Sequence, residues 1–245
     1  MIERRGGAAV TAAGLSLGGA RGWVYRDIGF RTEPGSLVAI EGPAGSGRTS
    51  LLLTLAGRMR PTAGTAEVDG LPLPAAAAQV RTIAALGPMA GVNDLDDALS
   101  VSAHLREQEQ LHAPLVGIGL PARRESFARA HAALAATGLV VERLRSGMRT
   151  PAGELNHLDR FRLGVALAML GKPRLVCVDD VDERLHTTDR LTAWQLLRQV
   201  ADSGVTVLAS TTDAGHAARS FVHQTVHMFG QGDPQSVEGL ADARV

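Results

Sequence analysis

The stretch GPAGSGRTS (residues 42–50) follows a short apolar run, LVAI, by one residue. A glycine-rich turn between a buried strand and a helix points backbone N–H groups at phosphate oxygens, and the start of the helix adds partial positive charge. The spacing G-x-x-x-x-G-[K]-[ST] is met at Gly42, Gly47 and Thr49, although Arg48 stands at the lysine position. The stretch therefore predicts a strand–loop–helix unit that cradles a nucleotide phosphate chain.

Each residue type in this loop has a chemical reason to be there. Glycines permit positive φ angles and a close approach of the backbone to a ligand. The hydroxyl of Thr49 is placed to ligate Mg²⁺ bound to the phosphates. We expect nucleotide contacts from the following loop residues: Gly42, Gly45, Ser46, Gly47, Arg48, Thr49 and Ser50.

Arginine at the lysine position changes the chemistry of the loop. Lysine is a compact point charge, whereas the guanidinium group of Arg48 is larger, planar and forked, so the exchange is not conservative. We expect Arg48 to neutralise phosphate from a displaced position. Stabilisation of transition-state charge requires placement to about an ångström, so we expect Arg48 to perform it less well than lysine.

An acidic pair ends a second buried strand far along the chain. The apolar residues Leu175–Val178 are followed by Asp179 and Asp180. A strand that ends in Asp is the usual partner of a phosphate loop, because its carboxylate reaches Mg²⁺ through water. We expect Asp179 to serve the metal together with Thr49, and Asp180 is the candidate catalytic residue, which would polarise an attacking water. The alternative is that the two acids only mark a strand end at the surface.

Strand-like and helix-like patterns alternate in both halves of the chain. Strands are predicted at residues 23–30, 37–40, 65–68, 82–86, 175–178, 205–209 and 222–229. Helices are predicted at residues 50–60, 156–170, 188–202 and 214–221. The alternation predicts one α/β domain with a mainly parallel core sheet and flanking helices, and the phosphate loop with its strand-end acid indicates the P-loop NTPase type. Its core is expected at residues 8–88 and 160–230, with an inserted helical subdomain at 93–159.

Composition argues against several classes of function. The chain has 245 residues, of which 45% are hydrophobic, and this supports a full core. A net charge of zero argues against binding of nucleic acid through a general basic surface. Cys177 is the only cysteine, which excludes a disulfide framework and fits a reducing compartment. No apolar run reaches the roughly 18–20 residues of a membrane span, and Gly and Thr interrupt the weakly signal-like N-terminus. We expect a cytoplasmic protein.

Two other interpretations of the loop stay open from these residues. A dinucleotide-binding fold would need G-x-G-x-x-G directly after the strand, and the residues after Ile40 do not supply it. The loop would also fit a tight turn that holds no ligand.

Beyond the loop and the acidic pair, three longer stretches resemble one known family. They are PTAGTAEVDG (61–70), NDLDDALSVSAHL (93–105) and RFRLGVALAMLGKPRLVCVDDVDE (160–183). Over about residues 8–230 the chain resembles an ATP-binding cassette ATPase, the nucleotide-binding subunit of ABC transporters. The resemblance implies ATP and Mg²⁺ as cofactors and a transmembrane permease subunit as partner. It also implies a homodimer, or a heterodimer with another ABC subunit, held on the inner face of the cell membrane through the permease.

The family's signature segment, L-S-G-G-Q, is degenerate in this chain. It falls on residues 155–159, which read LNHLD. In the family this segment opens a helix whose N-terminus meets the γ-phosphate held by the other subunit. His157 and Leu158 add bulk there, and Asp159 adds charge of the same sign as phosphate. We expect Asn156 to cap an ordinary helix start while the ligand contact is lost.

Other positions that the family uses for hydrolysis also differ. The family's catalytic glutamate falls on Asp180, its D-loop aspartate near His186 and its switch histidine on Thr212. Threonine cannot act as a general base near neutral pH. His216, in the next predicted helix, is more simply a surface residue. The Q-loop glutamine would fall at residues 87–89, which contain none.

The family's adenine-stacking aromatic is absent from its expected place before the loop. Trp23 and Tyr25 are nearby candidates, which equally fit packing roles. We expect a subunit that binds MgATP and hydrolyses it weakly. The alternatives are a non-catalytic regulatory or scaffold module with the same fold, and an unrelated phosphate-loop enzyme such as a small-molecule kinase. The acidic pair and the stretch at 61–70 speak against the kinase.

Overall fold

Two sheets of different kinds form the framework of the protein. The computed structural model describes residues 6–20, 22–111, 123–215 and 219–229. Within them, a parallel sheet has the strand order β6-β7-β8-β3-β9, and an antiparallel sheet has the order β2-β1-β4-β5. The strands are β1 Val10–Gly19, β2 Gly22–Thr32, β3 Leu37–Glu41, β4 Ala63–Val68, β5 Leu71–Leu73, β6 Ala84–Leu86, β7 Leu175–Val178, β8 Thr206–Thr211 and β9 Gln224–His227. The helices are α1 Arg48–Leu55, α2 Ala77–Ile83, α3 Val101–Leu111, α4 Arg123–Ala136, α5 His157–Leu170 and α6 Thr187–Asp202.

The first face of the parallel sheet packs on α1, which lies between the two sheets. Val38 and Ile40 of β3 share a buried cluster with Leu51, Leu52 and Leu55 of α1, and strands of the antiparallel sheet join the same cluster. A helix that is apolar on both sides has no solvent-facing stripe, so burial rather than amphipathicity determines its place. This packing holds the start of α1 against the end of β3.

The second face of the parallel sheet packs on α5 and α6. Leu37 and Ala39, which alternate with the residues that face α1, lie in a buried cluster with Phe161 and Val165 of α5 and with residues of α6. Strands with both faces covered read as continuous apolar runs, which is why β3 and β7 stand out in the sequence. The predicted parallel core sheet with flanking helices is confirmed.

The antiparallel sheet was not part of that prediction. β1 and β2 form a hairpin that closes with Gly19 opposite Gly22, and β4 pairs with the other edge of β1. β1 begins with alternating buried and exposed residues, because one face of this sheet is open to solvent. The sequence predicts a mainly parallel core sheet and no second sheet, although this alternation is typical of an antiparallel one.

A third cluster lies outside the sheets. α3, α4 and short 3-10 turns at Val141–Arg143, Gly147–Arg149 and Ala152–Glu154 pack against α5 through Val101, Leu105, Leu134 and Leu163. Successive faces of α5 therefore serve both the sheet and this helical layer, which ties the two parts together.

Element ends differ from the sequence prediction by a few residues. α1 ends at Leu55 rather than at 60, because Gly57 adopts φ 71° and the N–H of Arg58 donates to the carbonyl of Leu53 at 2.8 Å, which closes the helix. The helix predicted at 214–221 includes residues 216–218, which lie outside the described residues. No helix in the described ranges is both long and apolar enough to cross a membrane.

Candidate functional site

The predicted phosphate loop (residues 42–49) joins the end of β3 to the start of α1. Gly45 and Gly47 have φ angles of 81° and 86°, a region that glycine adopts without strain. A Cβ on Gly47 would lie 2.4 Å from the carbonyl oxygen of Val24, and one on Gly42 would lie 2.5 Å from the carbonyl oxygen of Met228. Backbone geometry therefore requires glycine at positions 45 and 47, and close packing requires it at positions 42 and 47.

Arg48 points inward, across the loop. Its side chain is 7% exposed. Nη1 donates to the carbonyl oxygen of Gly42 at 2.6 Å, and Nη2 donates to Oδ1 of Asp180 at 2.5 Å. The guanidinium group thus links the loop to the residues after β7, a contact that sequence reasoning missed because the two segments lie so far apart in the chain.

Thr49 and Asp179 meet, as the sequence pattern predicts. Oγ1 of Thr49 donates to Oδ2 of Asp179 at 2.6 Å. These hard oxygen donors fit Mg²⁺, which is usually held by one or two protein oxygens together with phosphate oxygens and water. In the described part of the chain no group of three or more His, Cys, Asp or Glu residues could hold a metal by itself, so phosphate and water would have to supply the remaining ligands.

Asp180 is half-buried and adopts φ 42°, in the left-handed region. Burial raises the pKa of its carboxyl group, and Asp179, Asp182 and Glu183 raise it further, while the Arg48 guanidinium opposes the shift. Its ion pair with Arg48 occupies one carboxylate oxygen. The candidate catalytic residue is therefore also the counter-ion of Arg48.

Ser210, at the end of β8, is a site residue that the sequence analysis did not single out. Its side chain is fully buried. Oγ donates to Oδ1 of Asp179 and accepts the backbone N–H of Asp180 at 2.8 Å. The available signal was its position in a parallel strand beside β7, because the carboxyl ends of such strands meet at one edge.

Thr212, where the family's switch histidine would fall, bonds to another acid. Its hydroxyl and its N–H both donate to the carboxylate of Asp182, which is 8% exposed. Thr212 lies one residue beyond the end of β8. Its bonds to Asp182 are therefore a second contact between this strand end and the acidic segment, residues 179–183.

The segment at 155–159 opens α5 as an ordinary capped helix, as predicted. Oδ1 of Asn156 accepts the N–H of Asp159 at 2.8 Å, and Nδ2 of Asn156 donates back to the Asp159 carboxylate at 2.8 Å. Arg162 donates to the same carboxylate at 2.9 Å. The charge of Asp159 is therefore offset within its own helix.

A cavity of about 140 Å³ connects the start of α5 with the acidic residues. His157 and Arg160 of α5 line this cavity together with Asp179 and Asp180, and residues 88–90, 93–95 and 183–185 contribute further parts of its wall. The cavity lies where the helical layer meets the parallel sheet. His186, near which the family's D-loop aspartate would fall, stands directly before α6.

Of the two aromatic candidates, only Trp23 is accessible. Tyr25 is 4% exposed, and its hydroxyl donates to Oγ1 of Thr54 at 2.8 Å, so it packs in the core and is unavailable for stacking. Trp23 is 41% exposed, and the Arg26 guanidinium carbon lies 5.4 Å from its ring centroid. His216 lies outside the described residues.

Comparison with known proteins identifies relatives in sequence. A family profile described as ABC transporter matches residues 25–183. The chain is 28% identical over 206 residues to the probable multidrug ABC transporter ATP-binding protein YbhF of Escherichia coli (strain K12), covering 83% of this chain and 33% of that protein. It is 31% identical over 189 residues to the taurine import ATP-binding protein TauB of Pseudomonas savastanoi pv. phaseolicola (strain 1448A / Race 6), covering 76% and 65%. The chain thus spans less than two thirds of the length of these relatives.

Solved structures share the same fold. The dimeric structure of the bacterial ABC transporter cassette MJ0796 matches with a TM-score of 0.73 at 18% identity, covering 90% of this chain and 94% of that one. A post-hydrolysis state of that cassette, bound to ADP and Pi, matches with a TM-score of 0.71 at 20% identity, covering 89% and 94%. At this identity the likeness establishes the fold alone.

Proposed function

This chain belongs to the ABC transporter family of ATP-binding proteins, and we propose that it binds MgATP and couples it to a transmembrane partner while hydrolysing it weakly. The observation that carries this proposal is the contact between Thr49 of the loop and Asp179 after β7, at 2.6 Å. It brings together the two side chains that a nucleotide-bound Mg²⁺ needs.

Binding would use the loop backbone more than its side chains. The N–H groups of residues 47–50 belong to the N-cap and first turn of α1, where the helix dipole favours negative charge. Thr49 and Asp179 would hold Mg²⁺, which supplies positive charge that neutralises the phosphate oxygens. Gly45 leaves open space beside the loop, whereas Gly42 and Gly47 let the loop pack closely on the backbone of Met228 and Val24. All three glycines, with Ser46 and Ser50, belong to the same proposed contact set.

Weak hydrolysis is supported by the hydrogen bonds that Arg48 and Asp180 make within the protein. The guanidinium group of Arg48 is bonded to Gly42 and Asp180, so a phosphate must compete with these acceptors for it. Asp180 is shorter than glutamate and is held toward Arg48, which leaves it poorly placed to activate water. Thr212 cannot serve as a base near neutral pH, and its hydroxyl is donated to Asp182.

The proposed partners come from the family and its relatives. We infer docking on a transmembrane permease subunit at the inner face of the cell membrane, as a homodimer or as a heterodimer with another ABC subunit. One relative is named for multidrug transport and another for taurine import, so the proposal extends to neither a cargo nor a direction of transport. A second candidate function, a non-catalytic scaffold, is favoured by the engagement of Arg48 within the loop.

Calorimetry and a turnover assay test the proposal. Titration of the purified chain with ATP and Mg²⁺ is expected to show saturable binding that Asp179→Asn weakens. Asp202→Asn, on the exposed side of α6, is the matched control and leaves binding unchanged. Absence of saturable binding at about 1 mM ATP, the upper end of ordinary substrate affinities, leaves the scaffold function instead.

The turnover assay addresses hydrolysis separately. A rate near the ordinary enzyme median of about 10 s⁻¹, abolished by Asp179→Asn, would contradict weak hydrolysis. Arg48→Lys with Asp180→Glu restores the family residues at both positions and is expected to raise turnover above that of the natural chain.

A further inference from the structure

Ser210 ties together the residues that follow β7. Strands β7 and β8 pair in parallel with Val178 opposite Ala209, so Ser210 and Asp179 come next on the two strands. The Ser210 hydroxyl donates to Asp179 and accepts from the N–H of Asp180, and its carbonyl oxygen accepts from the N–H of Val181 at 3.0 Å. One buried residue thus fixes three consecutive residues of the acidic segment.

The bond to Asp179 decides which carboxylate oxygen faces the loop. Oδ1 is held by Ser210 and Oδ2 is directed to Thr49 at 2.6 Å. A carboxylate with one oxygen held by a buried donor cannot rotate without leaving that donor unpaired, and an unpaired buried donor is unfavourable. Residues that orient a metal ligand in this way typically change metal affinity when they are mutated.

We propose that Ser210 is a positioning residue for Asp179, and that its hydroxyl sets how strongly Mg²⁺ enhances nucleotide binding. This inference rests on the proposed binding of MgATP. Ser210 would act through Asp179, and it is not among the proposed contacts of the nucleotide or the metal. Its second bond, from Asp180, holds the backbone of that residue in the left-handed conformation that turns its carboxylate toward Arg48.

The test compares ATP affinity with Mg²⁺ and in excess EDTA, by calorimetry on the full chain. The natural chain is expected to bind more tightly with Mg²⁺. Ser210→Ala is expected to reduce this Mg²⁺ enhancement by about 10-fold or more, while the affinity in EDTA changes less than about 2-fold. Ser210→Cys, which keeps nearly the same volume with a weak donor, is expected to lose the enhancement as well and covers the case in which the alanine variant fails to fold.

Thr212→Val is the matched control. Thr212 lies two residues after Ser210, and this substitution removes the hydrogen bond from its hydroxyl to Asp182. The variant is expected to keep the full Mg²⁺ enhancement. Equal enhancement in the natural chain and both Ser210 variants overturns this inference and leaves the proposed function standing. A loss of the same size in EDTA and in Mg²⁺ assigns Ser210 to folding alone and also overturns it. Absence of ATP binding by the natural chain overturns the proposed function and this inference with it.

Discussion

The ion pair between Arg48 and Asp180 makes a strong prediction about stability. Arg48 is 7% exposed and Asp180 33%, and their atoms Nη2 and Oδ1 are 2.5 Å apart. Breaking a fully buried pair by removing one partner costs about 3–5 kcal/mol, because the other charge stays buried without compensation. Solvent reaches a third of Asp180 and screens it, so we expect Arg48→Met to lower the free energy of unfolding by about 2–3 kcal/mol.

The size of the effect also depends on what remains after the substitution. The methionine side chain would fill most of the volume but would release the carbonyl of Gly42, which accepts Nη1 of Arg48 at 2.6 Å in the natural chain. The carboxylate of Asp180 would then face Asp179 without a counter-ion. In a chain of this length, about 1 kcal/mol shifts Tm by about 2–4 °C, so the expected loss is about 4–12 °C.

A double-mutant cycle isolates the pair. Urea unfolding of the natural chain, Arg48→Met, Asp180→Asn and the double variant is expected to give a coupling energy of about 1–2 kcal/mol. The control pair is Arg198 with Asp202 on α6, with side chains 36% and 56% exposed at a separation of 2.8 Å, for which we expect at most about 0.5 kcal/mol. A coupling energy for Arg48 and Asp180 no larger than that of the control would refute the reasoning.

Two further predictions concern single residues. Burial raises the pKa of the Cys177 thiol from 9.0 to about 12. Between these values the folded chain keeps the proton that the unfolded chain loses, so stability falls as pH rises through that window, by up to about 1.4 kcal/mol per pH unit. Urea unfolding at pH 8 and pH 10 checks this pH dependence. Cys177→Ala is expected to lose less free energy of unfolding between these pH values than the natural chain, and equal losses would contradict the prediction. Asn156→Ala removes the cap of α5 and is expected to lower the free energy of unfolding by about 1 kcal/mol in the same assay. Asn156→Ser, which can still cap the helix, is expected to keep most of that stability. Equal stability of the two variants would show that the cap contributes nothing.

Local patterns in the sequence were enough to place the phosphate loop and its strand. Residues 37–40 of β3 are apolar because both faces of this strand are covered, and the glycines after it are required by positive φ angles and by close backbone contacts. Asn156 was predicted as a cap because capping involves only the next few residues. The sequence also predicts that Thr49 and Asp179 act together, because the hydroxyl of a phosphate loop and the acid at the end of a buried strand usually serve the same Mg²⁺.

Other features depended on contacts between segments that are distant in the chain. The antiparallel sheet at the N-terminus was missed because apolar pieces broken by glycines identify strands without identifying their neighbours. Tyr25 is excluded as the adenine-stacking residue only by its buried position and its hydrogen bond to Thr54, which is 29 residues away in the chain. Neither outcome follows from the residues on one element alone.

The sequence by itself thus determined the local conformation of residues 42–50, the parallel core and the family, because each depends on nearest neighbours in the chain or on periodicity. Only the tertiary structure decided that Arg48 is bonded to Asp180 and that Ser210 holds Asp179. Hydrogen bonds act over about 3 Å, and the pattern of residues in one segment does not specify which side chain of a distant segment comes within that distance. Arg48 therefore read as a displaced phosphate ligand in the sequence, whereas the fold makes it a buried link between the loop and the acidic residues after β7.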